Sequence, residues 1–290
     1  MDSKIAGAQR AALGPGVIAA ASFAISDAFA KVVFAGGGDV LTLALIRGVI
    51  GLAILFVYLR FGPAPVGETA RTRLIALGLG VLFAAVVYGL FEAIALINVP
   101  IAVLTYFIYP LLTGIGGWMF GIERLSWQGA LAATAAFCGL AVMIGAYPQP
   151  LSALGISLAL GAALSRAVFL LVARIELQGA DPRMTTWHSL VSSTAIFAIA
   201  ALLTTNWHPP HNTIGWFSVL LVSVATASGI LMLYVSTSRI GPFRTALIMN
   251  LEPLLASLIS VPLLGEIITP VQTMGGVVML GALVAFQIWR

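Results

Sequence analysis

Charge is scarce in this 290-residue chain: Asp, Glu, Lys and Arg make up only 8% of it. A soluble domain carries about 25%, so an ordinary water-facing surface is excluded. Cysteine is almost absent; the single Cys138 rules out an intrachain disulfide and a thiolate metal cluster. No glycine-rich nucleotide loop is present, which argues against ATP-driven work. The apolar stretches hold no nucleophile–base set, and His188 stands alone in its stretch, so the chain does not read as an enzyme. No cofactor motif is found either. A cleaved signal peptide is not expected, because the first apolar stretch runs to about Phe34 and carries Asp27 and Lys31.

What the chain has in abundance is hydrocarbon. It is 60% hydrophobic, with a mean hydropathy of +1.07. At about 20 apolar residues per membrane span, this length allows about ten spans and no soluble domain. Apolar segments fall at roughly 12–34, 40–60, 74–96, 100–120, 126–146, 152–173, 184–204, 214–237, 243–264 and 268–288. They are too long and continuous for barrel strands, so helices are expected. The fold class is an all-α membrane protein of ten transmembrane helices.

The pI of 9.6 invites a nucleic-acid reading, but the basic residues follow membrane topology instead. With the N-terminus in the cytoplasm, Lys4, Arg10, Arg60, Arg71, Arg73, Arg124, Arg174, Arg183, Arg239, Arg244 and Arg290 all fall at cytoplasmic ends. These are eleven of the fourteen basic residues; the other three, Lys31, Arg47 and Arg166, lie within spans. This positive-inside pattern puts both termini in the cytoplasm. Trp118, Trp127, Trp187, Trp207, Trp216 and Trp289 fall near span ends, where indoles anchor.

Two stretches look like copies. One runs NVPIAVLTYFIYPLLTGIGGWMFGIE from Asn98, the other IGPFRTALIMNLEPLLASLISVPLLGE from Ile240. Each has an early proline (Pro100, Pro242), a mid-helix proline (Pro110, Pro253) and a closing glutamate (Glu123, Glu266). Pro100 and Pro242 are 142 residues apart, about half the chain. Gly16 precedes Ser26-Asp27-Ala28 as Gly155 precedes Ser165-Arg166-Ala167, so the duplication reaches the first helix of each half. The expected units are 1–147 and 148–290. Five spans per unit is an odd number, so the two copies insert in opposite orientations.

These paired motifs, with Gly121-x-Glu123 and Gly265-Glu266 at their ends, resemble the EamA-type repeat of the drug/metabolite transporter superfamily, and in particular its amino-acid exporters. The resemblance implies a multi-pass carrier of the plasma (inner) membrane whose cargo cavity lies between the halves, lined by spans 1, 3, 4, 6, 8 and 9. It implies small-molecule cargo and a lipid bilayer as partners, no nucleic acid, and a monomer sufficient for one pathway. Cargo identity does not follow from it.

Six ionisable groups lie within spans, where each is costly unless paired or hydrated. Asp27, Lys31, Arg47 and Glu92 are expected at one level near the external side, as an outer gate or a permanent ion-pair brace. Arg166 and Glu252 are expected apart from these, at a shared depth nearer the cytoplasm. They could form a static ion pair, close an inner gate, bind a cargo carboxylate (Arg166), or take a cargo amine or a proton (Glu252). Tyr88, Tyr106, Tyr109 and Tyr234 sit within spans and are expected to face the cavity, where their hydroxyls escape lipid. Phe29 and Phe169 are placed beside Asp27 and Arg166, and Asn250 and Met249 beside Glu252. Gly114, Gly117, Gly121 and the Gly275-Gly276 pair read as close helix packing, and His208-Pro-Pro-His211 as a loop.

Two functions compete at this stage. One is export of small amphipathic metabolites, apolar or aromatic amino acids above all, by alternating access. The other is an antiporter of phosphorylated metabolites or nucleotide sugars, which would need several cations in the cavity.

Overall fold

The computed structural model describes the backbone of residues 2–97, 99–145, 152–204, 207–264 and 269–288, and side chains within 12–94, 96–97, 101–145, 152–204, 207–263 and 269–286. Gly265, Glu266, Trp289, Arg290 and the expected 147/148 boundary fall outside the described residues, as do the side chains of Lys4, Arg10 and Pro100.

The chain is all-helical: α1 (Asp2–Ala35), α2 (Val40–Phe61), α3 (Ala70–Leu96), α4 (Val99–Tyr106), α5 (Tyr109–Met119), α6 (Trp127–Ile144), α7 (Ala153–Glu176), α8 (Pro182–Thr204), α9 (Thr213–Ile240), α10 (Pro242–Ile248), α11 (Leu251–Leu264) and α12 (Pro270–Ile288). The pairs α4–α5 and α10–α11 each make one span. Among the described residues, nine segments are long and apolar enough to cross a membrane, and Pro270–Phe286 is a shorter apolar tenth. The apolar segments expected from sequence thus all appear as helices.

Two of the ten spans are broken, and at matching places. Proline has no N–H to give the carbonyl four residues back. At Pro110 this frees the Tyr106 carbonyl, and the chain turns at Phe107–Ile108 before resuming as α5. At Pro253 the Met249 carbonyl accepts instead from Glu252 N–H at 3.0 Å, and the turn lies at Met249–Asn250.

Burial runs opposite to that of a soluble protein. Phe61, Leu202 and Leu203 are among the most exposed side chains, whereas Ser26, Thr42, Ser189, Thr226, Ser236 and Thr245 are buried. Lipid accepts the large apolar residues outside, and small or hydroxylated residues let helices approach inside. Ser26 and Thr226 hydroxyls meet at 3.1 Å between α1 and α9; Ser236 and Thr245 meet at 2.8 Å between α9 and α10.

The halves interleave: α1 packs along α9 and α11, α2 on α8 and α9, α3 on α7 and α8, and α6 on α12. Between α6 and α12 the backbones touch. A Cβ on Gly275 would fall 2.4 Å from Met143 N, and one on Gly139 would fall 2.6 Å from Met279 N. Gly275-Gly276 therefore pack as expected, with Gly139 as an unforeseen partner. Gly114 packs against the Phe243 ring. Gly121 does not pack. It turns the chain after α5 at φ +65°, with nothing near its would-be Cβ.

The two glycines that marked the first-helix copies hold equivalent seats. Gly16 of α1 meets Ser236 and Ile248, on α9 and α10; Gly155 of α7 meets Leu96 and Ile97, at the junction of α3 and α4. Each half thus rests its first helix where the other half's third helix gives way to its fourth.

The two ends of the bundle differ in charge. One end gathers Arg71 with Glu176, Arg73 and His188 with Glu68, and Arg183 with Asp181. There the Arg183 guanidinium holds the Asp181 carboxyl below its ordinary value by hydrogen bonding, which outweighs the partial burial that opposes ionisation. At the far end, Asp39 caps α2 through Thr42 N–H at 2.8 Å and accepts from His208 N–H at 3.0 Å. His211 N–H donates to the Gly36 carbonyl at 2.9 Å. The His208–His211 segment is a loop, as expected, and it pins the α1–α2 turn.

Candidate functional site

The broken spans meet α1 and α7 at the centre of the bundle, where most of the intramembrane polar groups converge. A cavity of about 290 Å³ lies there. Asp27 and Lys31 of α1, Tyr106 of α4 and Glu252 of α11 line it, with Ser257 and Gln272; its walls are Leu90, Val103, Phe107, Met143 and Ala256. These residues lie in the half of the bundle away from the basic end. Asp27 is deep among the helices, yet its side chain is exposed to this space.

Asp27 and Glu252 both line this cavity, near enough for their carboxyls to act on one another. This corrects the sequence-based grouping. Glu252 belongs with Asp27, not apart from it, because the turn at Met249–Asn250 swings the start of α11 against α1. Arg47, Lys31 and Arg166 all act electrostatically on Asp27. Lys31 also reaches Ser260 Oγ at 3.5 Å. Glu92 is not in this cluster, and among the described residues it has no ion-pair partner. It lies with the 60%-exposed Tyr88 along a separate groove of about 660 Å³ between α2, α3 and α8, near Asp39 and His208.

Arg166 lies beneath the cavity and is not among its lining residues. Its guanidinium carbon is 5.2 Å from the Phe23 ring centre, 5.8 Å from Tyr109 and 5.9 Å from Phe169. Three aromatic faces thus hold the cation. Tyr109 stacks at 5.3 Å on Tyr106, and Phe169 at 5.2 Å on Tyr234. The Tyr234 hydroxyl meets Ser189 Oγ at 2.6 Å. Arg166 Nε, Tyr109 Oη and Arg47 Nη2 are buried without a hydrogen-bond partner among the described residues. Unsatisfied donors of this kind are rare in native interiors. Asn250 is buried in the turn itself, where its amide donates to the Leu247 carbonyl at 3.0 Å; it braces the break and does not line the cavity. Met249 is fully buried beside it.

Phe29 also departs from expectation. It packs with Val33, Leu43, Val219 and Val222, because two residues turn a helix by about 200° and carry it away from Asp27. Phe23, Ser189, Ser257 and Gln272 were not singled out from sequence. Of these only Gln272, a lone amide at the start of an apolar helix, carried a readable signal.

Below Arg166, towards the basic end, the two copied motifs are tied to each other. Glu123, at the end of the first copied motif, accepts a hydrogen bond from Phe243 N–H at 3.1 Å at the start of the second. Burial pushes the Glu123 carboxyl above its ordinary value, against the Phe243 N–H and the Arg174 charge. Arg174 in turn donates to the Ser238 carbonyl.

Comparison with known proteins accords with this architecture. The model of the EamA-like transporter family matches twice, over residues 12–145 and 153–286. The two matches flank the expected boundary between the repeats. No curated protein matches. Among solved structures, 29 chains match. One, described as a crystal structure of a protein, is 16% identical with a TM-score of 0.81, over 96% of this chain and 99% of that one; at this identity the likeness is one of fold. With a transporter repeat matched on either side of a polar, helix-broken centre, the chain belongs to the EamA-like transporter family.

Proposed function

We propose that the protein is a secondary carrier that exports small amphipathic metabolites, namely amino acids with apolar or aromatic side chains, by alternating access between two inverted repeats in the plasma membrane. On this reading the basic end faces the cytoplasm by the positive-inside rule, and the central cavity serves the external side. The observation that carries this reading is the central cavity, which has the caged Arg166 beneath it and is lined by polar groups from both repeats.

Size and charge favour this cargo over phosphorylated metabolites. At about 290 Å³ the cavity is at the bottom of the range for small-molecule sites, about 300–1,000 Å³, which suits an amino acid better than a nucleotide sugar. Its lining offers two carboxyls and one lysine, whereas a phosphate seat needs clustered cations. The cargo ammonium faces Asp27 and Glu252, its carboxylate faces Lys31 and Gln272, and its side chain faces Leu90, Val103 and Phe107. When the basic end opens, Arg166 leaves its cage of rings and Tyr109 and Tyr234 become the wall of the inward cavity.

The test is flux in proteoliposomes without ATP. Labelled L-phenylalanine should move and should be counter-transported by unlabelled L-leucine, while Arg166→Ala should abolish movement in a protein that still elutes as a folded monomer. Flux of phosphate esters with no amino-acid flux would overturn the reading.

A further inference from the structure

Asp27 and Glu252 come from different repeats, yet both line the central cavity, with their carboxyls near enough to act on one another. The side chain of Asp27 is exposed to the cavity. Among the described residues no ion pair joins either of them to Arg47 or Arg166; Arg71–Glu176, Arg73–Glu68, Arg183–Asp181, His188–Glu68 and His208–Asp39 lie at the two ends of the bundle. Two carboxylates in contact repel, and a site of this kind is relieved by one proton held between them or by a cation lodged against both.

We infer that Asp27 and Glu252 form a carboxyl pair that holds one proton between the repeats, and that the ammonium group of the cargo takes the place of this proton, so that export is exchanged one for one against protons. The inference rests on the carrier reading above. In the outward-open state the pair takes a proton from the external solution. After the switch the proton leaves to the cytoplasm and an ammonium lodges between two carboxylates. On return the cargo leaves outward and a proton takes its place. One positive charge replaces another at each exchange, so the cluster keeps the same charge in both states.

The surroundings fit this exchange. Among the described residues, the groups acting on the pair include Lys31 on the helix of Asp27, Arg47 on α2, Tyr106 on α4, Tyr109 on α5 and Arg166 on α7. None is an acid, so among these groups the pair is the place where a proton and an ammonium can compete. The residues sit on α1 and α11, which pack together across the two halves. Occupancy of the pair is thereby tied to how the halves lie against each other, as coupling requires.

Infrared spectroscopy of the full protein in nanodiscs tests the pair without any transport. At neutral pH the wild type should show the C=O stretch of a protonated carboxylic acid, lost in both Asp27→Asn and Glu252→Gln. Saturating phenethylamine, which keeps ring and ammonium but has no carboxylate, should remove the band. N-acetyl-L-phenylalanine, which has no ammonium, should leave it. In liposomes an imposed proton gradient should drive accumulation of L-phenylalanine by the wild type, a protonophore should abolish the accumulation while leaving wild-type counter-transport, and Glu252→Gln should lose the gradient response. Absence of the wild-type band, its survival in phenethylamine, or an intact gradient response in Glu252→Gln would each overturn the inference. If L-phenylalanine is not moved but phenethylamine removes the band, the amino-acid reading fails and the carboxyl pair stands.

Discussion

Replacing Gly241 by Ala should spring the closure at the basic end. Gly241 begins α10 at φ +89°, ψ 165°, a conformation open to glycine and strained by about 1–3 kcal/mol for other residues. That strain is present whichever way the bundle is open, so by itself it lowers fold stability and leaves the gate alone. A second effect acts on the closed state only. A Cβ on Gly241 would lie 1.5 Å from Glu123 Oε1, so the carboxylate must leave. The N–H of Phe243, a residue only 6% exposed, then loses its acceptor at a cost of about 1–3 kcal/mol. A change of this size shifts a two-state equilibrium by about 5- to 150-fold. The reporter is a cysteine at Thr113, which is fully buried one turn past Tyr109 on α5, on a background with the exposed Cys138 changed to Ser. An impermeant maleimide added from the basic side labels it only when that end opens. Labelling should accelerate by about 5- to 150-fold in Gly241→Ala. In a Glu123→Ala background most of this increment should vanish, since the collision partner is gone. An increment of equal size in both backgrounds would show that backbone strain alone is at work and would refute the lock.

Two further outcomes follow from the packing and the basic end. Gly275→Val should lower the thermal midpoint in detergent by an amount corresponding to about 1–3 kcal/mol or more, because its Cβ would fall 2.4 Å from Met143 N and 2.6 Å from the Gly139 carbonyl; an unchanged midpoint would mean that α6 and α12 are not in backbone contact. Asp181→Asn should destabilise at neutral pH and converge with the wild type in acid: a carboxyl held below its ordinary value by Arg183 contributes stability above its unfolded value and loses it as pH falls through the folded one. A destabilisation that stays constant with pH would show that the Arg183 contact does not act through the charge.

Much of the architecture could be read from residues because bilayers leave the backbone few options. Pro110 and Pro253 announced the two breaks through a missing N–H, and both breaks appear within a few residues of the proline. The rotation of each helix about its own axis was harder to read. On an amphipathic helix a polar stripe fixes the facing, but α3 is apolar nearly all round, so nothing in its sequence says that Tyr88 and Glu92 turn to a side groove and not to the centre. Glu252 was misgrouped for a related reason. Depth counted in residues along a straight helix ignores the turn at Met249–Asn250, which carries the start of α11 against Asp27. Arg166 could be singled out as a buried charge, yet its cage draws one ring from α1, one from α5 and one from its own helix, and only the last pairing is local.

The reciprocal seating of Gly16 and Gly155 bears on how the chain is made. Synthesis delivers residues 12–145 to the bilayer before 153–286 exist. Until then Gly16 has no α9 or α10 to rest on, Ser26 lacks Thr226, and Asp27 and Arg47 stand in hydrocarbon without the second half around them. A half-made carrier is thus a membrane intermediate with buried charges bare to lipid, and a ribosome stalled between the repeats would leave a product that insertion machinery must shelter or quality control must remove.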